Sequence, residues 1–180
     1  MHPLTAADLH ASFVNCSRGE ARRAEVPDLT AVAWEHLDFL GWQDPSGSPK
    51  AWLVVPGADG PLGLVLRRPA ASGGGRSAMC DVCATPHSSG SVALTVAAKT
   101  GAAGRKGDST GSYLCRDLAC SLYVRGRKVP TAARLRETLS QEAMVERLRR
   151  NLDTYVQRVV GDPTWHGRYA DDTDRAAHPA

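Results

Sequence analysis

Five cysteines are the residues of this 180-residue chain whose type and spacing could do chemistry. Cys80-Asp81-Val82-Cys83 is a Cys-x2-Cys pair and Cys115-Arg116-Asp117-Leu118-Ala119-Cys120 is a Cys-x4-Cys pair, with 31 residues between them. A Cys-x2-Cys turn aims two sulfurs at one point, and a second pair from the start of a helix completes a tetrahedron of thiolates about 2.3 Å from a metal. Four soft sulfur donors favour zinc over hard cations, and full coordination leaves no open position for a nucleophilic water. Cys80, Cys83, Cys115 and Cys120 are therefore the candidate ligands of one structural Zn2+. An iron–sulfur cluster also takes four cysteines, with spacings that are usually tighter or different, and stands as the lesser reading. A redox Cys-x2-Cys needs a strand-to-helix context that Met79 and its Gly-rich lead-in do not provide. His87 lies four residues beyond Cys83 and reads as a loop histidine, since four ligands are already in hand. Cys16 stands alone in the first helical region, without an evident His or acid partner, and reads as a small packed residue.

The elements that must position these groups follow from periodicity and punctuation. Thr5-Ala6-Ala7-Asp8 is a capping signal for a helix over about residues 6–14. Pro27-Asp28 reads as a second start, with Leu29, Val32, Ala33, Leu37 and Leu40 on one helical face before Gly41 stops it. Trp34, Phe39 and Trp42 are read as packing. Residues 51–55 and 62–66 are short apolar runs bounded by turn clusters, which predicts a β-hairpin. Residues 70–77, with Gly73-Gly74-Gly75, read as a connector. Residues 92–96 and 111–114 are two further strands, with a Gly-rich basic stretch from Lys99 to Thr110 between them that lacks the residues of a phosphate loop. Residues 131–160 carry Leu135, Leu139, Val145, Leu148, Leu152, Val156 and Val159 at helical intervals, with a cap at Ser140 or Thr138 and a stop at Gly161-Asp162-Pro163. From Thr164 onward a frayed tail is expected.

The fold class predicted is α+β: a small N-terminal helical and β-hairpin region packed with a metal-binding finger and a long C-terminal amphipathic helix. The division expected is an N-terminal helical segment over 1–50, a hairpin plus zinc-binding domain with C-terminal helices over 51–163, and a tail over 164–180.

Composition narrows the function classes. With 42% hydrophobic and 23% charged residues the chain reads as globular, and no apolar run is long enough to span a bilayer. The N-terminus lacks the basic start and apolar stretch of a secretory signal, so a cytoplasmic location is expected. An odd number of cysteines argues against a disulfide framework. The net charge of +3 conceals a block over residues 99–136 with 9 basic and 2 acidic residues, flanked by acidic ends. Such a block attracts nucleic acid or an acidic protein face, or neutralises metal-bound thiolates. Tyr113 and Tyr123 with Arg105, Lys106, Arg116, Arg125, Arg127 and Lys128 are the candidate partner-binding residues, hairpin or helix packing being the other reading of the two tyrosines. No acid pair, nucleophile–base arrangement, open metal site or small-molecule site is evident, so the chain is expected not to be an enzyme.

The Cys-x2-Cys knuckle, a β-hairpin and a Cys pair entering a helix is the order of a treble-clef zinc finger. Cys80 to Cys83, the run from Gly111-Ser112-Tyr113-Leu114-Cys115 to Cys120-Ser121-Leu122-Tyr123-Val124-Arg125-Gly126, and the long charged helix after it resemble the C-terminal zinc-finger domain of the elongation factor G-binding proteins, the FusB/FusC-type fusidic-acid-resistance family and its small FBP-domain relatives. The stretch Leu37-Asp38-Phe39-Leu40-Gly41-Trp42 also looks like the small relatives, so the resemblance covers about residues 1–160. It implies a protein that docks on the C-terminal domains of elongation factor G and promotes release of the factor from the ribosome, with the four cysteines as zinc ligands. The resistance proteins carry a separate helical bundle before the finger, where this sequence has only about 70 residues, so a housekeeping role in translation is expected rather than resistance. The alternative is a ribosome- or rRNA-binding finger, because arginines and aromatics also contact phosphates and stack on bases.

Overall fold

The computed structural model describes residues 1–68, 78–88, 90–130, 132 and 137–169. The connector at 70–77, Leu135 and residues 170–180 of the expected tail lie outside the described residues.

Local signals produce the helices that begin and end the chain. Helix α1 (Ala6–Ser12) carries the anticipated capping box: Thr5 Oγ1 accepts the Asp8 N–H at 3.2 Å and the Asp8 carboxylate accepts the Thr5 N–H at 2.8 Å. Helix α2 (Arg18–Arg22) is one short turn capped by Ser17 and was not foreseen. The long helix α5 (Gln141–Val160) starts at Ser140, whose side chain accepts the Ala143 N–H, and stops at Gly161 in the left-handed region with φ 74°. Two short helices, α3 (Gly101–Arg105) and α4 (Cys120–Val124), lie between.

Five antiparallel strands form the central sheet: β1 (Leu40–Gln43), β2 (Lys50–Gly57), β3 (Gly60–Arg67), β6 (Val92–Ala98) and β7 (Ser109–Cys115), in the order β1-β2-β3-β6-β7. Two-residue strands β4 (Ala78–Met79) and β5 (Pro86–His87) pair separately around the Cys-x2-Cys turn. Both expected hairpins are present and longer than the apolar runs that announced them.

The alternation of strand side chains gives the sheet two different faces. Leu53, Val55, Leu64, Leu66, Ala97 and Leu114 meet Leu148, Leu152, Tyr155, Val156 and Val159 of α5 in a core that runs on into the cysteines. Trp52, Val54 and Val65 face the other way and meet Met1, Leu9, Ala24, Trp34, Leu40 and Trp42. The N-terminal segment is thus a cover for half of one sheet face, and its own strand β1 joins the sheet across the expected boundary at residue 50.

Two expectations are corrected. The helix expected from Asp28 to Leu40 is two single 3-10 turns, Leu29–Ala31 and Trp34–His36, followed by β1. Pairing with β2 and burial of Trp42 against Trp52 outweigh the helical spacing, and Trp42 Nε1 is held by Glu25 O at 2.8 Å. Gly41 is no helix stop: a Cβ there would sit 2.5 Å from Leu118 Cβ, so glycine is what lets the second cysteine loop press against β1. The tail is also ordered through Tyr169. Arg168 N–H donates to Pro56 O at 2.8 Å, and Tyr169, 4% exposed, donates to Asp153 at 2.6 Å.

Candidate metal centre

Each cysteine pair is placed by an ordinary element end. The first sits in the tight turn between β4 and β5, closed by Ala84 N–H to Cys80 O at 2.8 Å and Cys80 N–H to Thr85 O at 3.1 Å. The second begins at the last residue of β7 and ends at the first residue of α4. Asp81 sets their register: its N–H donates to Tyr113 O at 2.8 Å and its carboxylate accepts the Tyr113 N–H at 2.6 Å, two residues before Cys115. From α5, Asn151 Nδ2 donates to Val82 O at 3.1 Å and holds the knuckle from behind. Ala84 (φ 56°) and Leu118 (φ 55°) are the positive-φ residues other than glycine among the described residues, and each lies in one of the two cysteine loops. Left-handed backbone costs a non-glycine residue about 1–2 kcal/mol, so both loops are bent for the sulfurs they deliver.

The four ligand atoms lie within 4.8 Å of one another, with Cys80 and Cys120 sulfurs 3.7 Å apart and Cys83 and Cys115 sulfurs 3.6 Å apart. A tetrahedron with Zn–S bonds of about 2.3 Å has edges of about 3.8 Å. No cysteine of the four exceeds 1% exposure, so water has no path to a metal held there. The donor set fits zinc in a closed, structural site and supplies no open coordination position.

The four sulfurs interact strongly with one another. Hydrogen bonds from Cys115, Cys120 and Cys80 pull the Cys83 thiol far below its ordinary range, and those with Cys115, Cys80 and Cys83 push Cys120 well above it. Four crowded thiols cannot all ionise unaided, whereas a Zn2+ stabilises every thiolate at once. Arg68, 6% exposed with Nε and one Nη unpartnered, adds a buried positive charge close enough to feel Cys115 and Asp117. Burial, then the nearby Arg116, pushes Arg68 down to about 10, which leaves it charged at neutral pH beside a cluster of net charge −2.

Residues beyond the ligands complete the site. His87 is no loop histidine: it is 1% exposed, its Nε2 is 3.3 Å from Cys115 Sγ, and its ring meets Tyr123 edge-on at 4.7 Å. With its proton on Nε2 the ring donates to the Cys115 thiolate and orients that ligand. Asp38, 1% exposed, accepts from both Nη atoms of Arg125 at 2.5 and 3.0 Å and from Arg149 Nε at 2.9 Å, while Ser121 Oγ accepts its N–H at 3.0 Å. Burial alone would raise the Asp38 pKa; Arg125 and then Arg149 hold the carboxyl below the usual carboxylate range. This network locks β1, α4 and α5 together.

Some members of the expected partner-binding set are engaged within the molecule and others are exposed. Arg125 is engaged by Asp38 inside the molecule. Tyr123, 9% exposed, donates to Asp117 at 2.8 Å, and Lys128 Nζ lies 2.8 Å from the same carboxylate. Arg116 is half-buried and donates to Gly90 O at 2.8 Å. Arg105, Lys106 and Arg127 are exposed, and Tyr113 is 51% exposed. Asp38 and Asn151 gave no sequence signal, since their partners are 69 to 111 residues away.

No helix among the described residues is long and apolar enough to cross a membrane. No curated protein and no solved structure matches the chain. The family described as FBP C-terminal treble-clef zinc-finger matches residues 8–159, a span that takes in the cover of the N-terminal face as well as the four cysteines. With a buried tetrathiolate where such a finger requires one and a match over most of its length, the chain belongs to the FBP C-terminal treble-clef zinc-finger family.

Proposed function

We propose that this protein is a non-enzymatic adaptor that binds the C-terminal domains of translation elongation factor G in the cytoplasm and promotes release of the factor from the ribosome. Membership of the FBP family over residues 8–159 is the observation that carries the reading. The closed tetrathiolate supports a metal that shapes a binding surface rather than one that activates water. A rigid sheet locked to two helices through Asp38 suits an interface that pays little ordering entropy on docking.

Isothermal titration of the zinc-loaded protein into purified elongation factor G tests the reading. A saturable one-to-one complex at physiological salt is expected, and no heat and no co-migration on gel filtration contradicts it. The exposed Arg105, Lys106 and Arg127 keep ribosomal RNA as the second reading. That reading requires RNA affinity that falls steeply with salt, because phosphate contacts release counterions.

A further inference from the structure

The two faces of the sheet are covered unequally. Helix α5 packs on one face as far as the edge strand β7, where Arg158 reaches Ser112 Oγ at 3.1 Å. On the other face the N-terminal segment covers β1, β2 and β3 and reaches β6 through Asn15, whose side chain accepts the Val65 N–H at 2.7 Å and donates to Val65 O at 3.1 Å and Ala98 O at 3.0 Å. Among the described residues, this face of β6 and β7 is uncovered beyond that point. Leu94 and Tyr113 are direct cross-strand partners, so they project from the same face, and they are 39% and 51% exposed. Leu94 lies across Gly111, where a Cβ would meet Leu94 Cδ1 at 3.1 Å. Glycine thus keeps the patch flat up to Val96, which pairs with Gly111 on one side and Arg67 on the other.

Cations border this patch. Arg67, with a side chain 61% exposed, stands directly opposite Val96. Glu20 ties α2 to Arg67 at 3.2 Å and to Lys50 at 2.8 Å, and Arg18 and Arg22 of that helix, with Arg23 just after it, are exposed. The α2 side of the patch is therefore positive, while the Asp81 carboxylate, which accepts the Tyr113 N–H at 2.6 Å, marks the opposite, β7 edge.

We propose that the uncovered half-face of β6 and β7, centred on Leu94 and Tyr113, bordered by Arg67 and adjoined through it by the arginines of α2, is the docking face for an acidic protein surface with an apolar centre. The proposal rests on the reading above and places elongation factor G there. An aromatic and an aliphatic anchor held on rigid strands with arginines along one side is the arrangement of a protein hot spot with steering charges. Sheets that read single-stranded RNA stack two or three bases on several aromatics, and this face offers one.

Titration of purified elongation factor G with four zinc-loaded proteins tests it: wild type, Leu94→Ser with Tyr113→Ser, Arg18→Glu with Arg22→Glu, and Arg150→Glu on the opposite side. Zinc content and thermal midpoint confirm that each is folded. The Leu94/Tyr113 variant is expected to bind at least about tenfold more weakly. The Arg18/Arg22 variant is expected to associate more slowly and to lose much of the salt dependence of association, and Arg150→Glu to bind as wild type. Wild-type affinity in both double variants overturns the docking face while leaving the functional reading intact. A wild-type protein that binds no elongation factor G removes the functional reading, and the occupant with it. Binding of a single-stranded RNA 20-mer that the double variants abolish, with factor binding unchanged, also overturns the proposal.

Discussion

On the N-terminal side of the sheet Trp42 and Trp52 stack with ring centres 6.2 Å apart and Phe13 closes on Trp52 at 4.9 Å, whereas on the α5 side the apolar core passes directly into four cysteine sulfurs. The first side is held by surface area: each large aromatic buries about 150–250 Å², and Trp34 and Trp42 find carbonyl partners for their ring N–H groups. The second side has small residues where the finger lies, namely Val82, Ala119 and the cysteines, together with two left-handed backbones and a buried carboxylate between two arginines. One side is held by aromatic packing and ordinary hydrogen bonds without a metal. The other needs a metal to offset strain and charge.

Removing the metal separates the two sides most sharply. Zinc binding in isolated fingers is worth about 10–16 kcal/mol, so chelation or Cys115→Ser is expected to abolish the slow-exchanging amides of β7, α4 and the knuckle. Hydrogen exchange is the measurement, with β2 and β3 amides retaining the greater protection. Equal protection on both sides with and without zinc breaks the comparison.

Trp52→Ala strikes the aromatic side. A cost of about 3–5 kcal/mol is expected in denaturant melts, with one zinc per chain still bound by metal analysis. Zinc loss in that variant would show that the two cores are one cooperative unit.

Asp38→Asn acts where the sides meet, since Asp38 precedes Phe39 of one core and Leu40 of the other. It leaves two guanidinium groups without their carboxylate, at a cost of about 3–5 kcal/mol. Because the carboxyl pKa is depressed in the folded protein, its contribution is present above the unfolded value of about 3.9 and disappears as pH falls through the lower folded value. The difference between wild type and variant is therefore expected to be constant from about pH 7 to about pH 5. A difference that shrinks over that range contradicts the network.

Gly41→Ala is the smallest of the four. The added methyl meets Leu118 and overpacks the second cysteine loop, with about 1–3 kcal/mol lost and faster zinc transfer to a chromogenic chelator. An unchanged transfer rate would mean that Leu118 does not hold the loop.

What the sequence made legible were features with local causes. The capping box at Thr5, the Ser140 cap, the Gly161 stop and both hairpins depend on residues a few positions apart, and the two cysteine pairs announce themselves by spacing. The apolar positions from Leu29 to Leu40 misled because they serve as plugs into an aromatic core, with strand pairing at β1 deciding the backbone. Arg125 reads as a surface group because its partner Asp38 lies 87 residues away, and Tyr123 reads either as a partner contact or as packing until β5 folds back over the knuckle and brings the ring of His87 against it. His87 was dismissed for the same reason. A count of ligands says nothing about which side chain will stand behind one of them.

That histidine makes zinc K-edge X-ray absorption the most direct test of the centre, because its Nε2, 3.3 Å from Cys115 Sγ, is placed to exchange for a sulfur. Four sulfur scatterers at about 2.3 Å and no nitrogen shell are predicted. Three sulfurs with a nitrogen at about 2.0 Å would contradict the tetrathiolate account.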